Sequence, residues 1–447
     1  MSIVDQIFQA GVVGCGGAGF PTHMKYKGEI EHLIVNGAEC EPLLRTDRYL
    51  MRTFAPQIVE TLAALKTELN IPQVTIGLKA GYADEVKALR EAIDAAGAPV
   101  ELHLMDSFYP AGDEQTLVYE VTHRVVPPAG IPMDVGCVVS NVATVCAISD
   151  ARKGIPFTHK YLTVTGEVGE PTILRVPLGT SVPECIRLAG GAKLSDYAVL
   201  LGGPMMGKII SREEAEKRMV IKTMSGIVLL PKDSIVVERA EAPIERMVSR
   251  ARSACIRCRQ CTDLCPRFLL GHPIEPHSIM RRLALEGDLN AIPSDDPLLK
   301  TALLCCECGV CEIIACPMGL QPRRINSAIK QRLGAERIRY TKGEGQADVH
   351  EFRDERRCPT PRAVARSDVQ DYQSYKITAY HEAEPASVVL PLSQHIGAPC
   401  ETVVKDGDHV EVGQLIAGCP EGKLGTNLHA SISGTVHCGD KAIAITR

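Results

Sequence analysis

Eight cysteines stand in two short runs, and their spacing is the first feature of this sequence that could do chemistry. "CIRCRQCTDLCP" sets Cys255, Cys258, Cys261 and Cys265 as C-x2-C-x2-C-x3-C-P; "CCECGVCEIIACP" sets Cys305, Cys308, Cys311 and Cys316 with one more residue before the last. Three thiolates at this spacing reach three corners of one cubane, and the fourth, beyond a turn, ligates the neighbouring cluster when two are present. The runs therefore predict two [4Fe–4S] clusters with exchanged fourth ligands. One is expected on Cys255, Cys258, Cys261 and Cys316, the other on Cys305, Cys308, Cys311 and Cys265. Two zinc sites or a buried thiol-rich helix pair are the alternatives, although zinc usually takes paired C-x2-C units separated by a longer gap. Cys306 is left over, a bystander beside a ligand that could substitute for it.

Composition narrows the setting. The 447 residues suggest two to four domains, at about 100–200 residues each. A net charge of -5 speaks against a nucleic-acid partner, which would favour a basic surface. No apolar run approaches the ~20 residues needed to cross a bilayer, so no direct membrane span is expected. The N-terminus shows no secretory signal. The expectation is a cytoplasmic protein whose 18 cysteines serve metal or redox chemistry rather than disulfides. No Ser–His–Asp set, Walker loop or H-E-x-x-H is present, and the histidines are scattered.

A second candidate lies near the start, in "GVVGCGGAGFPTHMKY". Gly14, Gly16 and Gly19 fit G-x-G-x-x-G, but a dinucleotide fingerprint needs a strand before it and a helix after it. No strand of normal length precedes it, and Phe20-Pro21 interrupts the helix. A glycine-rich turn is one reading. The other is a backbone that comes close to a ring or phosphate, which glycine permits, with Lys25 to balance charge.

These residues must be positioned by several units. Residues 1–155 alternate strands ("HLIVN", "QVTIGLKA", "VELHLM") with helical stretches, which predicts a mostly parallel sheet. Residues 156–232 read as a small α+β module with a short helix near Pro183–Leu188. Residues 240–338 are helical around the cysteine runs. Residues 339–376 are charged and polar, as in a linker. Residues 377–447 form a β-rich unit with an Asp-Gly turn in "VVKDGDHVEV".

The glycine stretch "GCGGAGFPTHMKY" resembles the flavin loop of the NADH-binding flavoprotein subunit of respiratory complex I and of the C subunit of the Rnf electron-transport complex. "VNGAECEP", "YPAGDEQTL" and "SNVAT" resemble the other three segments that surround FMN in that family. The resemblance implies that Gly14, Gly16, Gly17 and Lys25 hold the phosphate side. Asn36 and Glu39 would line the ring and ribityl, and Tyr109, Asp113 and Glu114 the opposite wall. Asn141 and Thr144 would complete the phosphate or ribityl contacts, and Phe20 and Glu41 would meet NADH. The chain departs from the complex I pattern at Cys15, Ala38 and Asp113.

The same resemblance extends along the chain. It implies a multidomain α/β and α+β protein: a Rossmann-like FMN domain, an SLBB β-grasp module, a helical two-cluster ferredoxin-like domain and a C-terminal barrel-sandwich (lipoyl-like) β domain. In the Rnf protein the barrel-sandwich segment lies at the N-terminus. Its C-terminal place here is similar to the corrinoid-reductase family of the propanediol-utilisation microcompartment. The hairpin around Gly425–Ser433 lacks the tip lysine of lipoyl and biotinyl domains, which favours a structural or docking role.

Membership in that branch would imply an NADH-dependent cobalamin reductase in a bacterial microcompartment. Electrons would run from NADH to FMN, to two [4Fe–4S] clusters and to a corrinoid, taking cob(III)alamin to cob(II)alamin and supporting cob(I)alamin formation. A corrinoid adenosyltransferase and a shell protein would be partners. A subunit of a larger electron-transport or bifurcating complex, or an electron shuttle to a shell protein, are the alternatives.

Overall fold

A computed structural model describes residues 1–447. The first sheet follows from which face each side chain takes. In β1 (His32–Asn36), Leu33 and Val35 enter one core and Ile34 the other, as the period of two requires of a strand covered on both faces. β2 (Gln73–Lys79), β3 (Glu101–Met105) and β5 (Cys137–Asn141) join it, all parallel, in the order β3-β2-β1-β5; β4 (Phe108–Tyr109) lies outside this sheet. The helices Ala55–Glu68 and Val142–Arg152 supply Ile58, Leu62, Val145 and Ile148 to one core, and Glu114–Thr122 supplies Leu117 and Val118 to the other. The chain leaves β1 towards β2 on one side and returns as β5 on the other. Between their C-terminal ends lies a switch point, where open parallel sheets hold ligands. Asn36 and Asn141 face each other in register there.

The second sheet is mixed. It takes β6 (His159–Gly166), β7 (Thr172–Pro177), β8 (Tyr197–Leu201), β9 (Lys208–Ser211) and β10 (Gly226–Pro231), with the helix Val182–Leu188 packed on it. In the cysteine region the helices Ile244–Ala254, Pro276–Glu286 and Pro322–Ala335 share a core that includes Cys316.

The charged stretch 339–376, expected as a linker, folds back over the other modules. Its β11 (Cys358–Pro359) pairs with β4. The helix Thr360–Arg366 follows, and Arg366 donates to the carbonyls of Ile313 and Cys316 at 3.1 and 3.2 Å. Composition shows the charges of this stretch but not their partners: Arg353 is buried on Glu120, Arg357 reaches Asp106, and Lys342 reaches Asp134. The C-terminal unit then lends its first strand, β12 (Ala379–Glu382), to the edge of the second sheet beside β7. The rest forms two small antiparallel sheets around one core. Lys222, 1% exposed, ties three modules together by donating to Gly11 O at 2.7 Å and Asn427 O at 2.8 Å. No helix is long and apolar enough to cross a membrane.

Candidate functional site

A cavity of about 280 Å³ opens at the switch point. Four separate segments line it: Gly16; then Asn36, Glu39 and Glu41; then Tyr109, Asp113 and Glu114; then Asn141. Gly14, Gly17, Phe20, Lys25 and Thr144 stand outside the lining.

The glycine loop closes on itself where Gly14 N donates to Phe20 O at 2.9 Å. The helical turn Thr22–Lys25 then starts directly after Pro21, which sits at its N-cap. Cys15 N donates to Thr144 Oγ1 at 3.0 Å, so Thr144 anchors the loop to the helix after β5. Gly16 is needed for close approach, because a Cβ there would stand 2.9 Å from the Asn141 amide. Gly17 faces open space.

Both asparagines are spent on shaping the site. Asn36 donates to Gly112 O at 2.8 Å, and Asn141 donates to Asp47 at 2.7 Å while capping its helix through Ala143 N. Glu39 accepts from the amides of Asp47 and Arg48 at the start of the helix Thr46–Thr53. Burial, and then Asp47 beside it, push the Glu39 carboxyl up. Glu41 turns to the second module, where its Oε2 accepts Met205 N at 2.9 Å. A Cβ on Gly203 would fall 2.3 Å from it, and Oε1 is buried without a partner. Burial pushes the Glu41 carboxyl up to about 7.

The sequence offers Lys25 alone as the cation near the glycine loop, and the structure brings a second lysine, Lys160, to the same end. The Lys25 ammonium is taken by Glu114 and by Val139 O, both at 2.9 Å. Lys160, on β6 of the second module and 2% exposed, reaches Cys15 O at 3.4 Å and lines the cavity beside Gly16 and Asp47. Sequence reasoning missed Lys160 because nothing local marks one lysine in a strand of a different module.

The cysteine runs repeat one backbone. The residues flanking the middle cysteine are left-handed in both: Arg257 and Arg259 at φ 55 and 68, Glu307 and Gly309 at φ 59 and 79. Cys265 and Cys316, the last of each run, agree closely at φ/ψ -71/121 and -74/113. This superposes Cys305 on Cys255 and puts Cys306 where the first run has Ile256. The extra residue of the second run is absorbed as one π-helical turn over Val310–Ala315, where the first run has the short α-helix Gln260–Asp263. An inserted residue commonly takes that form inside a helix.

The thiols gather in two groups. Cys255, Cys258, Cys261 and Cys316 line one small cavity, the outer group, with Cys258 exposed. The inner group is more buried: Cys265, Cys308 and Cys311 are 8%, 8% and 7% exposed, and Cys265 packs with Cys305 around Leu304. No trio of His, Cys, Asp or Glu side chains is placed to hold a single metal ion. In the outer group the donor set, four thiols around a space, fits a cubane.

The inner group forms part of the flavin-type cavity. Cys306 and Cys308 line it, and Tyr109 donates to Cys308 O at 2.7 Å. Arg267, two residues after Cys265, grips Asp113 through two hydrogen bonds of 2.5 and 2.9 Å. Burial opposes ionisation of Asp113, yet Arg267 and Thr116 hold its carboxyl below its ordinary value. Asp113 thus fastens the cavity wall to the cysteine region. The cavity itself fits a flat, phosphorylated ring system: a glycine cradle whose shape a side chain would fill, amide-bearing rims and a buried lysine at the glycine end.

Comparison with known proteins agrees with these parts. Residues 7–150 match the Nuo51 FMN-binding domain, 161–208 an SLBB domain, 254–321 a 4Fe-4S dicluster domain and 370–444 the RnfC barrel sandwich hybrid domain. The cobalamin reductase PduS of Citrobacter freundii is 39% identical over 444 residues, 97% of this chain and 94% of that protein. The cobalamin reductase PduS of Salmonella typhimurium is 39% identical over 449 residues, 100% of this chain and 96% of that protein. The C subunit of the proton-translocating ferredoxin:NAD(+) oxidoreductase complex of Clostridium ljungdahlii is 34% identical over 59% of this chain and 55% of its own length. An NAD+-reducing [NiFe]-hydrogenase in the H2-reduced state overlays with a TM-score of 0.50 at 21% identity, over 76% of this chain and 63% of that one, a likeness of fold alone.

Proposed function

The chain belongs to the PduS cobalamin reductase family, and on that premise we propose that it is a flavin iron–sulfur oxidoreductase that takes electrons from NADH and delivers them singly to cobalamin. The observation that carries this reading is the shared wall: Cys308 of the inner cysteine group, with Cys306 beside it, lines the same cavity as Gly16, Asn36 and Asn141. FMN, when bound, takes two electrons as a hydride and yields them one at a time, and iron–sulfur clusters carry one electron each.

The residues supply position and charge. Asn36, Asn141, Glu39 and Tyr109 shape the ring and ribityl space, and Gly16 opens the approach. Lys160 is the cation we assign to the phosphate end, with Lys25 behind it holding Glu114. Phe20 and Glu41 remain our assignment for the nicotinamide side, Glu41 held by Met205 N and able to keep a proton near neutral pH. The inner and outer thiols each hold one [4Fe–4S] cluster. The donor side is the cavity, and the acceptor side is the exposed edge at Cys258.

In fold terms we read the parallel sheet as Rossmann-like, its order reversing at the cavity, and the mixed sheet with its packed helix as a β-grasp. Cob(III)alamin is reduced to cob(II)alamin, and cob(I)alamin forms for a corrinoid adenosyltransferase, within a propanediol-utilisation microcompartment whose shell protein is a partner. NADH oxidation by the purified protein, with and without hydroxocobalamin, tests this. Cobalamin-dependent NADH oxidation is expected. Activity only with a reduced partner flavoprotein would replace this reading by an electron shuttle.

A further inference from the structure

The loop after β1 has a second cavity on its other side. It is larger, about 540 Å³, and shares only Glu39, Cys40 and Glu41 with the first. It lies beyond the C-terminal ends of β1 and β2, and the fold-back segment roofs it with Thr360, Gln370 and Gln373.

Its walls carry more positive than negative charge, Lys79, Arg45 and Arg48 against Glu39 and Glu41. Lys79, the last residue of β2, is 2% exposed. It has no ion pair and no hydrogen bond, and its ammonium stands 5.7 Å from the Tyr82 ring. The Arg45 guanidinium meets only the carbonyl of Leu44, at 2.6 Å. Arg48 lies 4.4 Å over the Tyr82 ring and is paired with Glu85, but Arg52 draws on the same carboxylate. Glu39 is the one lining acid whose charge acts on Lys79, Arg45 and Arg48 alike, so three cations share a single carboxylate that is itself committed elsewhere. Glu39 is engaged by the amides of Asp47 and Arg48, and Glu41 by that of Met205. The Thr360 hydroxyl, at the roof, is buried with no partner.

A buried ammonium is unfavourable unless an anion or a set of acceptors meets it. Here no group of the protein does, and the space is large enough for a small organic ligand. A monovalent carboxylate would leave most of the charge unmet, whereas a phosphate ester or diphosphate offers several acceptor oxygens to cations arriving from different elements. We propose that this second cavity binds a phosphate-bearing small molecule, with Lys79 and Arg45 as its main cationic ligands and Thr360 as a hydroxyl donor from the roof. Arg48 supplies further charge at the Tyr82 side. The site stands on its own geometry and does not depend on a flavin in the first cavity.

Calorimetric titration of the holoprotein with inorganic pyrophosphate, ADP-ribose and ATP tests it. At least one probe is expected to bind saturably, and Lys79→Met and Arg45→Gln are each expected to weaken it ten-fold or more with FMN content unchanged. Preference for ADP-ribose identifies the phosphates of a dinucleotide, preference for ATP those of a free nucleotide, and each outcome supports the site. Arg45 is less buried than Lys79, so Arg45→Gln remains informative if Lys79→Met fails to fold. No saturable binding at millimolar probe, or wild-type affinity in the variants, would overturn the proposal. Loss of FMN from the variants would instead place these residues in support of the first cavity and overturn their assignment to a separate site.

Discussion

The inner and outer cysteine groups are built on the same loop and set at different depths. Both runs place left-handed residues on either side of the middle cysteine, and both end in a Cys-Pro that crosses to the other group. The outer group presents Cys258 to solvent beside Ile256, which is 60% exposed. The inner group is packed between Arg267, Tyr109 and the cavity wall. The two groups thus share a backbone and differ in their surroundings, and on the proposed reading the surroundings set each one's place in a transfer sequence. Potential and reactivity of such clusters follow exposure, charge and hydrogen bonding.

The largest expected effect separates the groups outright. Cys308→Ala and Cys265→Ala should each remove the inner cluster, and Cys258→Ala the outer one. Iron per chain should fall from roughly eight to roughly four in every case. Spectra that assign Cys265 to the outer cluster would break the comparison at its base.

Next is the clamp that makes the inner group part of the cavity. Arg267→Met leaves Asp113 buried and unpaired, and breaking such a pair typically lowers stability by about 3–5 kcal/mol. Denaturant unfolding should show that loss. The inner cluster's potential should also shift downwards, because a nearby cation that favours the reduced form is gone. An unchanged potential would mean that Arg267 acts only as a structural tie.

A smaller contrast is kinetic. Under air or chelator, the outer cluster should bleach before the inner one, followed by low-temperature EPR of samples quenched in time. Simultaneous loss would show that the depth difference has no chemical consequence.

The smallest effect is a pH dependence at the cavity wall. With the Glu41 carboxyl pushed up to about 7, the folded state holds a proton that the unfolded chain releases near pH 4.5. The folded form therefore binds more protons between these values, and stability should fall as pH rises from about 4.5 to 7. Glu41→Gln should flatten that part of the Tm-versus-pH curve. An unchanged slope would locate the titration elsewhere.

Much of this was legible in the sequence. The x2 spacings carry the cysteine grouping because thiolate reach is local. The four cavity segments carry recognisable residues at fixed offsets, and the alternation in "HLIVN" carries the sheet. What was not legible depends on distance along the chain. Lys160 comes from another module, and the Lys25–Glu114 and Arg267–Asp113 pairs join residues 89 and 154 positions apart. The stretch 339–376 reads as a solvated linker because its charges meet their partners only after folding. The C-terminal unit's first strand likewise chooses β7 over its own neighbours.

The central claim is that the inner group faces the donor and the outer group the acceptor. Anaerobic stopped-flow reduction by NADH, paired with trapping of cob(I)alamin by a corrinoid adenosyltransferase, tests it in Cys258→Ala. The inner cluster is expected to be reduced at the wild-type rate while cob(I)alamin trapping falls at least ten-fold. Trapping at the wild-type rate would contradict the account, because the exposed cluster would then lie off the path to cobalamin.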